Sequence, residues 1–450
     1  MSSTPPVTSL GIGSGLDLNT LLTKLMTVAS QPLNALNQQE QTYQTQLSDY
    51  GQLQSAVSSF QSTMQTLSSL SQFLVYNASS SNQSVLTASA DSTAQAGSHS
   101  ITVNTLAQSQ VLSSAAFTNS STVVGTGTLS ITVGSASFSV TIDSTNDTVS
   151  GIAAAINGAS GNTGVTANVV NATDGAHLVL TSNNTGTANT MTVTATNGST
   201  GNLAQLDYNA TTKNMTQQVA AQDATLTVDG LSVSNSSNTV TGVIPGITLT
   251  LAGAGTTTLS VTTDTAAVTQ AAQSFVDAYN NLHAVISKLQ GGDLQGDSTL
   301  LMLQSQILNV INTPASGVSN AFSYLAQIGL SIQKDGTMTL DSTALNSALQ
   351  TDFKGVANLF TDTSQGFAVR LGNLAGGFLQ PQGLISARTD AINAIISNLD
   401  NQKTLMSQRL DLLQQQYMSE FTALDTLVGQ MQNTGSFLSQ QLGTSSSPVP

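Results

Sequence analysis

The sequence predicts an α+β multidomain protein in which helical, coiled-coil-like termini and a helical inner domain flank inserted antiparallel β-rich domains. Apolar residues recur every seven positions near both ends of the chain. Between them lie short runs in which Thr, Val and Ile alternate with polar residues, bounded by Gly, Asn and Ser. The length, 450 residues, exceeds what one hydrophobic core usually organises. The divisions expected are 1–90 for an N-terminal helical region, 91–264 for inserted β-rich domains with an outer part at about 122–215, 265–380 for the second half of the helical domain, and 381–450 for a C-terminal coiled-coil helix and tail.

Asp17 or Asn19 caps a first helix with Leu18, Leu21, Leu22, Leu25 and Met26 on one face, and Pro32 marks a break or a new helix start. From Tyr50 onward, Tyr50, Val57 and Met64 form one column and Leu53, Phe60, Leu67 and Leu74 another. Leu36 and Tyr43 extend the first upstream, while Gln39 and Gln46 weaken the second. The far end mirrors this. Ile385, Ile392, Leu399, Met406, Leu413 and Leu427 form a column interrupted at Glu420, and Leu410, Tyr417, Leu424, Met431 and Leu438 form its neighbour. Alternating three-four spacing is the seam of a coiled coil, whose side chains enter holes on a neighbouring helix. The expected self-assembly and partner interface is therefore Leu53, Phe60, Leu67, Leu399, Met406, Leu410, Leu413, Tyr417, Leu424, Leu427, Met431 and Leu438. The plainer alternative is a set of ordinary helices in a globular bundle.

Alternation predicts strands at Thr128–Val133, Phe138–Ile142, Val165–Val170, Leu178–Thr181, Met191–Thr194, Ala224–Val228 and Ile247–Leu251. Asp174-Gly175 and Asp229-Gly230 are expected as hairpin turns, since such turns need positive φ at low cost. A short helix capped by Asn146 or Asp147 buries Val149, Ile152 and Ile156. Helix returns over Thr265–Gln290 and Leu300–Ile311, followed by a hairpin turning at Asp335-Gly336 and helices near Ser342–Leu349 and Phe353–Phe360.

Charged residues are 7% of the chain, far below the roughly 25% of average soluble domains. The net charge is −14 and no Lys or Arg lies between Lys24 and Lys213. Neither nucleic acid nor an anionic membrane surface is an expected partner. Cysteine is absent, which removes disulfides and thiolate chemistry. The start has neither the basic nor the apolar region of a cleavable secretion signal, and no stretch is apolar enough to span a membrane.

No enzymatic site assembles from these residues. Gly11-Ile12-Gly13-Ser14-Gly15 has no preceding strand and no P-loop Lys-Ser/Thr pair, so flexible passage into a helix explains it better than phosphate binding. Gly296-Asp297-Ser298-Thr299-Leu300 resembles the serine block of certain lipases, but no His follows it; a helix cap is the expected role. The three histidines, His99, His177 and His283, are scattered, and the two glutamates, Glu40 and Glu420, sit in helical segments. No catalytic residue, cofactor or metal is expected.

Several segments together resemble the FliD family of bacterial flagellar cap proteins. Leu10–Asp17 with Asn19 and Leu22, Ala224–Gly230 with Ser237, Asn238, Val240 and Ile244–Leu251, Gly329–Ser331 with Lys334–Asp341, and Phe421–Asp425 with Met431 and Leu438–Leu442 are similar to its signatures in family order. Asn146–Ser182, with Ala154-Ala155-Ile156-Asn157, resembles a motif shared by flagellins and hook-associated proteins. The resemblance implies a secreted, non-enzymatic cap at the filament tip that leaves by the flagellar type III route and promotes incorporation of flagellin. It implies a homo-oligomeric ring, five copies by analogy, with flagellin, the hook-filament junction protein and an export chaperone at the C-terminal helix as partners. Acidic β domains rich in Ser, Thr, Asn and Gly also suit extracellular binding, so adhesion is a further expected role. A surface adhesin without an assembly role is the alternative, and paired terminal seams count against it.

Overall fold

A computed structural model of the chain describes residues 15–162 and 164–443. The glycine loop from Gly11 to Ser14, the segment before it and the tail after Gly443 lie outside the described residues. The helices are α1 (Leu18–Ala29), α2 (Gln31–Leu67), α3 (Val149–Gly158), α4 (Thr265–Gln290), α5 (Ser298–Asn312), α6 (Ser342–Thr351), α7 (Phe353–Thr361), α8 (Phe367–Leu379) and α9 (Leu384–Gly443). The strands are β1 (Tyr76–Ser80), β2 (Leu86–Ala90), β3 (Gly97–Thr105), β4 (Ser109–Ser113), β5 (Gly125–Val133), β6 (Ala136–Ile142), β7 (Val165–Ala172), β8 (Gly175–Thr185), β9 (Met191–Gly201), β10 (Thr216–Val219), β11 (Ala224–Val228), β12 (Leu231–Asn235), β13 (Thr239–Thr241), β14 (Ile247–Leu251), β15 (Gly255–Thr263), β16 (Leu330–Ile332) and β17 (Met338–Leu340). The chain divides into two compact units: residues up to Ser68 with Gln273–Ala344 and Leu359 onward, and Ser69–Ala272 with Leu345–Asn358.

The first unit is mostly helical. Asp17 caps α1 by accepting from the Thr20 amide at 3.0 Å, and α2 starts anew with Pro32 in its first turn, where a missing N–H costs nothing. Tyr50, Leu53, Val57, Phe60, Met64 and Leu67 of α2 are all buried, packed against α8 and α9. Helix α8 is absent from the sequence expectation. It contains Gly372, Gly376 and Gly377, and each glycine costs about 1 kcal/mol of helix propensity relative to alanine. Gly372 and Gly376 face α2: a Cβ at Gly372 would make ordinary contact with the Met64 Cβ at 3.4 Å, and one at Gly376 would sit 2.8 Å from the Gln61 Nε2, the end of a side chain that can swing aside. Arg370, on the same helix, donates to the carbonyls of Val310 and Thr313 at 3.1 Å each, closing the C-terminus of α5. Asn280 of α4 both donates to and accepts from Met338, at 2.8 and 2.7 Å, which fixes the β16–β17 hairpin on that helix.

In the second unit a five-stranded sheet runs β1-β15-β3-β11-β12 and a three-stranded sheet runs β13-β14-β2. The turn between β11 and β12 forms as expected, with Asp229 at φ 51° and Gly230 at φ 86°. Two further sheets, β10-β4-β8-β7 and β6-β5-β9, share with α3 a separate core drawn from residues between Leu112 and Met215. Gln110, fully buried within this region, is satisfied: it donates to Gln217 at 2.9 Å and accepts from the Met191 amide.

Two local expectations are corrected here. The α3 cap is Thr148, whose hydroxyl accepts from the Gly151 amide at 3.0 Å. Asn146 instead accepts from the Asp143 amide at 2.8 Å, and Asp147 gives its carbonyl to Val124, also at 2.8 Å. The β7–β8 turn is set one residue early: Ala172 pairs with Gly175, so Thr173 and Asp174 occupy the corner.

Gly127 gives this outer region its most sensitive backbone position. Its φ is +145°, and an added Cβ would lie 2.0 Å from the Thr196 carbonyl oxygen across the β5–β9 pair. Gly127→Ala is expected to destabilise the outer core by at least about 2 kcal/mol, read as a lower melting temperature of the full chain. An unchanged melt would show that the ladder yields there at no cost.

Candidate assembly surface on the terminal helices

Helix α9 begins in the core of its unit. Ile385, Ile392 and Leu399 are buried, and α2 and α8 pack beside it. Lys403 donates to Glu40 of α2 and, at 3.3 Å, to Asp400 on its own helix. Its hydrogen bond to Glu40 comes first among the influences that hold the ammonium above the ordinary lysine range. Near the start of α9, Arg388 meets Asp297 at 3.3 Å, and Asp297 also caps α5 by accepting from the Thr299 amide at 2.8 Å. Burial pushes this carboxyl up, and the hydrogen bonds it accepts together with the Arg388 charge outweigh that and hold it below the usual range. The Gly296–Leu300 stretch is thus a helix cap in the structure.

Glu40 meets Lys403, and Leu33 and Asn37, earlier in α2, line a groove that reaches Ser407 and Asp411, later in α9, so the two helices run antiparallel and their lengths decide what is left over. With about 1.5 Å per residue, α2, at 37 residues, spans about 55 Å and α9, at 60 residues, about 90 Å. Helix α1 packs on α9 as well, with Leu18 and Leu22 buried.

The seven-residue columns therefore change character along α9. Leu410 is still buried; Met406, Leu413 and Tyr417 are half-buried, with the Tyr417 and Phe421 rings stacked at 6.2 Å. Beyond them Leu424, Leu427, Met431 and Leu438 are 41, 54, 66 and 52% exposed. Phe437 and Leu442 are exposed beside them. No charged residue occurs from Thr426 to Gly443, so a surface that covers this stripe is matched to it by apolar contact and neutral hydrogen bonds.

The residues expected at the interface fall into two groups by burial. Leu53, Phe60 and Leu67 are sealed inside their own unit, as are Leu399 and Leu410, because α8 and the first half of α9 fill the holes that the α2 seam presents. What sequence reasoning missed was α8, whose signal is the helical spacing of Phe367, Leu371, Ala375 and Phe378, all of them buried.

The remaining chemistry-bearing residues have structural partners. His99 meets Asp229 at 2.8 Å, His177 meets Ser114 and Asp174, and His283 stacks on Tyr279. Among the described residues no group of three or more His, Asp or Glu is placed to hold a metal ion, and no helix is long and apolar enough to cross a membrane.

Comparison with known proteins gives these helices a context. Family models described as the N-terminus and the C-terminus of flagellar hook-associated protein 2 match residues 14–110 and 221–433, and the flagellin hook IN motif matches 128–184. The B-type flagellar hook-associated protein 2 of Pseudomonas aeruginosa is 33% identical, with 94% of each chain covered. The flagellar hook-associated protein 2 of Escherichia coli K12 is 32% identical over 98% of this chain and 99% of its own. The crystal structure of the flagellar cap protein FliD D1-D2-D3 domains from Escherichia coli superposes with a TM-score of 0.71 at 33% identity, covering 77% of this chain and 99% of that one. With signatures matched at both ends and relatives aligned along nearly its full length, the chain belongs to the flagellar hook-associated protein 2 family, the FliD family of flagellar cap proteins.

Proposed function

We propose that this chain caps the distal end of a bacterial flagellar filament, where it promotes ordered incorporation of exported flagellin and retains it at the growing tip. The observation that carries this reading, beside family membership, is the passage of one helix from buried core to uncharged, exposed apolar seam. A seam of that kind gains its burial only with a partner, which suits a component that completes its assembly outside the cell.

The partners follow from the same surface. Copies of this chain form the ring, with five as the number the family resemblance implies. Flagellin and the hook-filament junction protein meet its helical end, and an export chaperone shields the exposed part of α9 before secretion by the flagellar type III route. The outer core between Leu112 and Met215 is the part presented away from the filament, where adhesion would take place.

The test is complementation of a motile host that lacks its own cap. The full chain is expected to restore filaments. A version ending after Tyr417 is expected to secrete flagellin into the medium as monomer. Filament growth with the truncated chain would overturn the reading.

A further inference from the structure

Among the three histidines, His177 differs in one respect: both of its ring nitrogens face acceptors that have no hydrogen to give. Nδ1 lies 2.8 Å from the Ser114 carbonyl oxygen, and Nε2 lies 3.1 Å from the Asp174 carboxylate. His283, by contrast, meets the Asp335 carbonyl and the Ser287 hydroxyl through the same nitrogen. A neutral imidazole carries one N–H and one lone pair, so either tautomer would leave a lone pair pointed at an oxygen. Only the imidazolium, with two N–H groups, satisfies this geometry.

The ring stands where three pieces of the outer region meet. Strand β8 carries it, the corner between β7 and β8 supplies Asp174, and the segment after β4 supplies Ser114. That segment is laced to β8 by other bonds: the Ser114 amide donates to the Leu178 carbonyl at 2.9 Å, and Phe117 and Ala176 exchange two hydrogen bonds at 2.8 and 2.7 Å. Gly175 lets the two backbones approach, since a Cβ there would meet the Phe117 carbonyl oxygen at 2.3 Å. Phe117 itself packs into the outer core. The His177 side chain is 18% exposed and Asp174 is 66% exposed, so protons reach the pair freely.

We propose that His177 is a proton-operated clamp: doubly protonated, it ties the 114–117 segment and the β7–β8 corner to β8, and loss of one proton releases one of the two ties. The charge environment is simple. Residues 109–117 and 165–172, which flank the ring on neighbouring elements, contain no charged side chain, and no Lys or Arg lies between Lys24 and Lys213. Asp174 is thus the charged group that faces it.

The Ser114 carbonyl and then Asp174 raise the imidazole above its ordinary value. A raised folded-state value means that the clamp contributes fully below the ordinary histidine range, about 6.5, and that its contribution is lost as pH rises through the folded value. The outer region is therefore held more firmly in mildly acidic surroundings than in alkaline ones.

The experiment is an NMR titration of the three histidine rings in the full chain, assigned with single His→Gln variants, together with hydrogen exchange across the same pH range. His177 is expected to titrate above the ordinary range. Asp174→Asn should lower its value while leaving it above ordinary, because the Ser114 carbonyl remains. Protection of the Ala176 and Leu178 amides should fall with rising pH beyond the intrinsic base dependence, and His177→Gln should remove that excess. A wild-type ring that titrates at or below the ordinary range overturns the proposal, as does an excess that persists in His177→Gln. Because the wild-type titration stands alone, a variant that fails to fold does not protect the idea.

Discussion

Phe60→Ala is expected to destabilise the helical unit by about 3–5 kcal/mol, the usual cost of deleting a buried aromatic ring from a packed core. Phe60 is 2% exposed on α2, between Val57 and Met64, both fully buried. The ring is enclosed by buried neighbours on α2 and by the helices α8 and α9 packed on that face, so deleting it leaves a void inside the unit. The loss is read by thermal or denaturant unfolding of the full chain, with the β-rich unit followed separately through its exchange-protected amides. The outer core between Leu112 and Met215 shares no residue with α2, so its protection should stay near wild type. A shift below about 1 kcal/mol would place Phe60 on a surface and return it to the set of partner-facing residues, where its seven-residue column alone would have put it.

Phe60 also marks what the sequence could and could not convey. Periodicity identifies the buried face of α2 correctly, because burial against any neighbour obeys the same 3.5 to 3.6 residue repeat. Periodicity does not say whose helix fills the holes. Leu53 and Leu424 belong to equally regular columns, yet one is sealed by its own chain and the other is 41% exposed. The deciding facts are the unequal lengths of α2 and α9 and the presence of α8. The first is legible only once the two helices are known to run antiparallel. The second was overlooked because Gly372, Gly376 and Gly377 lower its helix propensity and mask its apolar spacing.

The β-rich region was legible in part for a related reason. Strands with alternating Val, Ile or Leu, such as β5, β11 and β14, stand out. Strand β1, from Tyr76 to Ser80, and strand β10, from Thr216 to Val219, carry too few apolar side chains to show a period, and only pairing with a neighbour makes them strands. The corner at Thr173-Asp174 shows the limit of dipeptide rules. Asp-Gly signals a turn at both 174–175 and 229–230, but strand register decides which residues sit in the corner.

Leu424→Asp combined with Met431→Asp is expected to weaken association of the full chain by about two to four powers of ten while leaving its fold intact. Both residues lie in the column of Leu410 and Leu438, spaced by one heptad, at 41 and 66% exposure. Burying a Leu or Met side chain contributes about 1.5–3 kcal/mol, and each 1.4 kcal/mol is about tenfold in an equilibrium constant, which sets the range. A buried carboxylate without a partner adds to the loss, since the stretch from Thr426 to Gly443 offers no cation to pair with it. The fold should hardly respond, because exposed substitutions usually change stability by no more than about 0.5 kcal/mol. Thr426→Asp combined with Asn433→Asp is the control: it adds the same two charges to the same helix at exposed positions outside both columns. Light scattering and sedimentation over a concentration series separate the outcomes. Dispersed seam variants beside an assembled control assign the self-association to this stripe. Equal dispersal of both would mean that net charge drives the effect, through repulsion in an already acidic chain. Wild-type assembly in the seam variant would leave the exposed columns without a role in holding copies together.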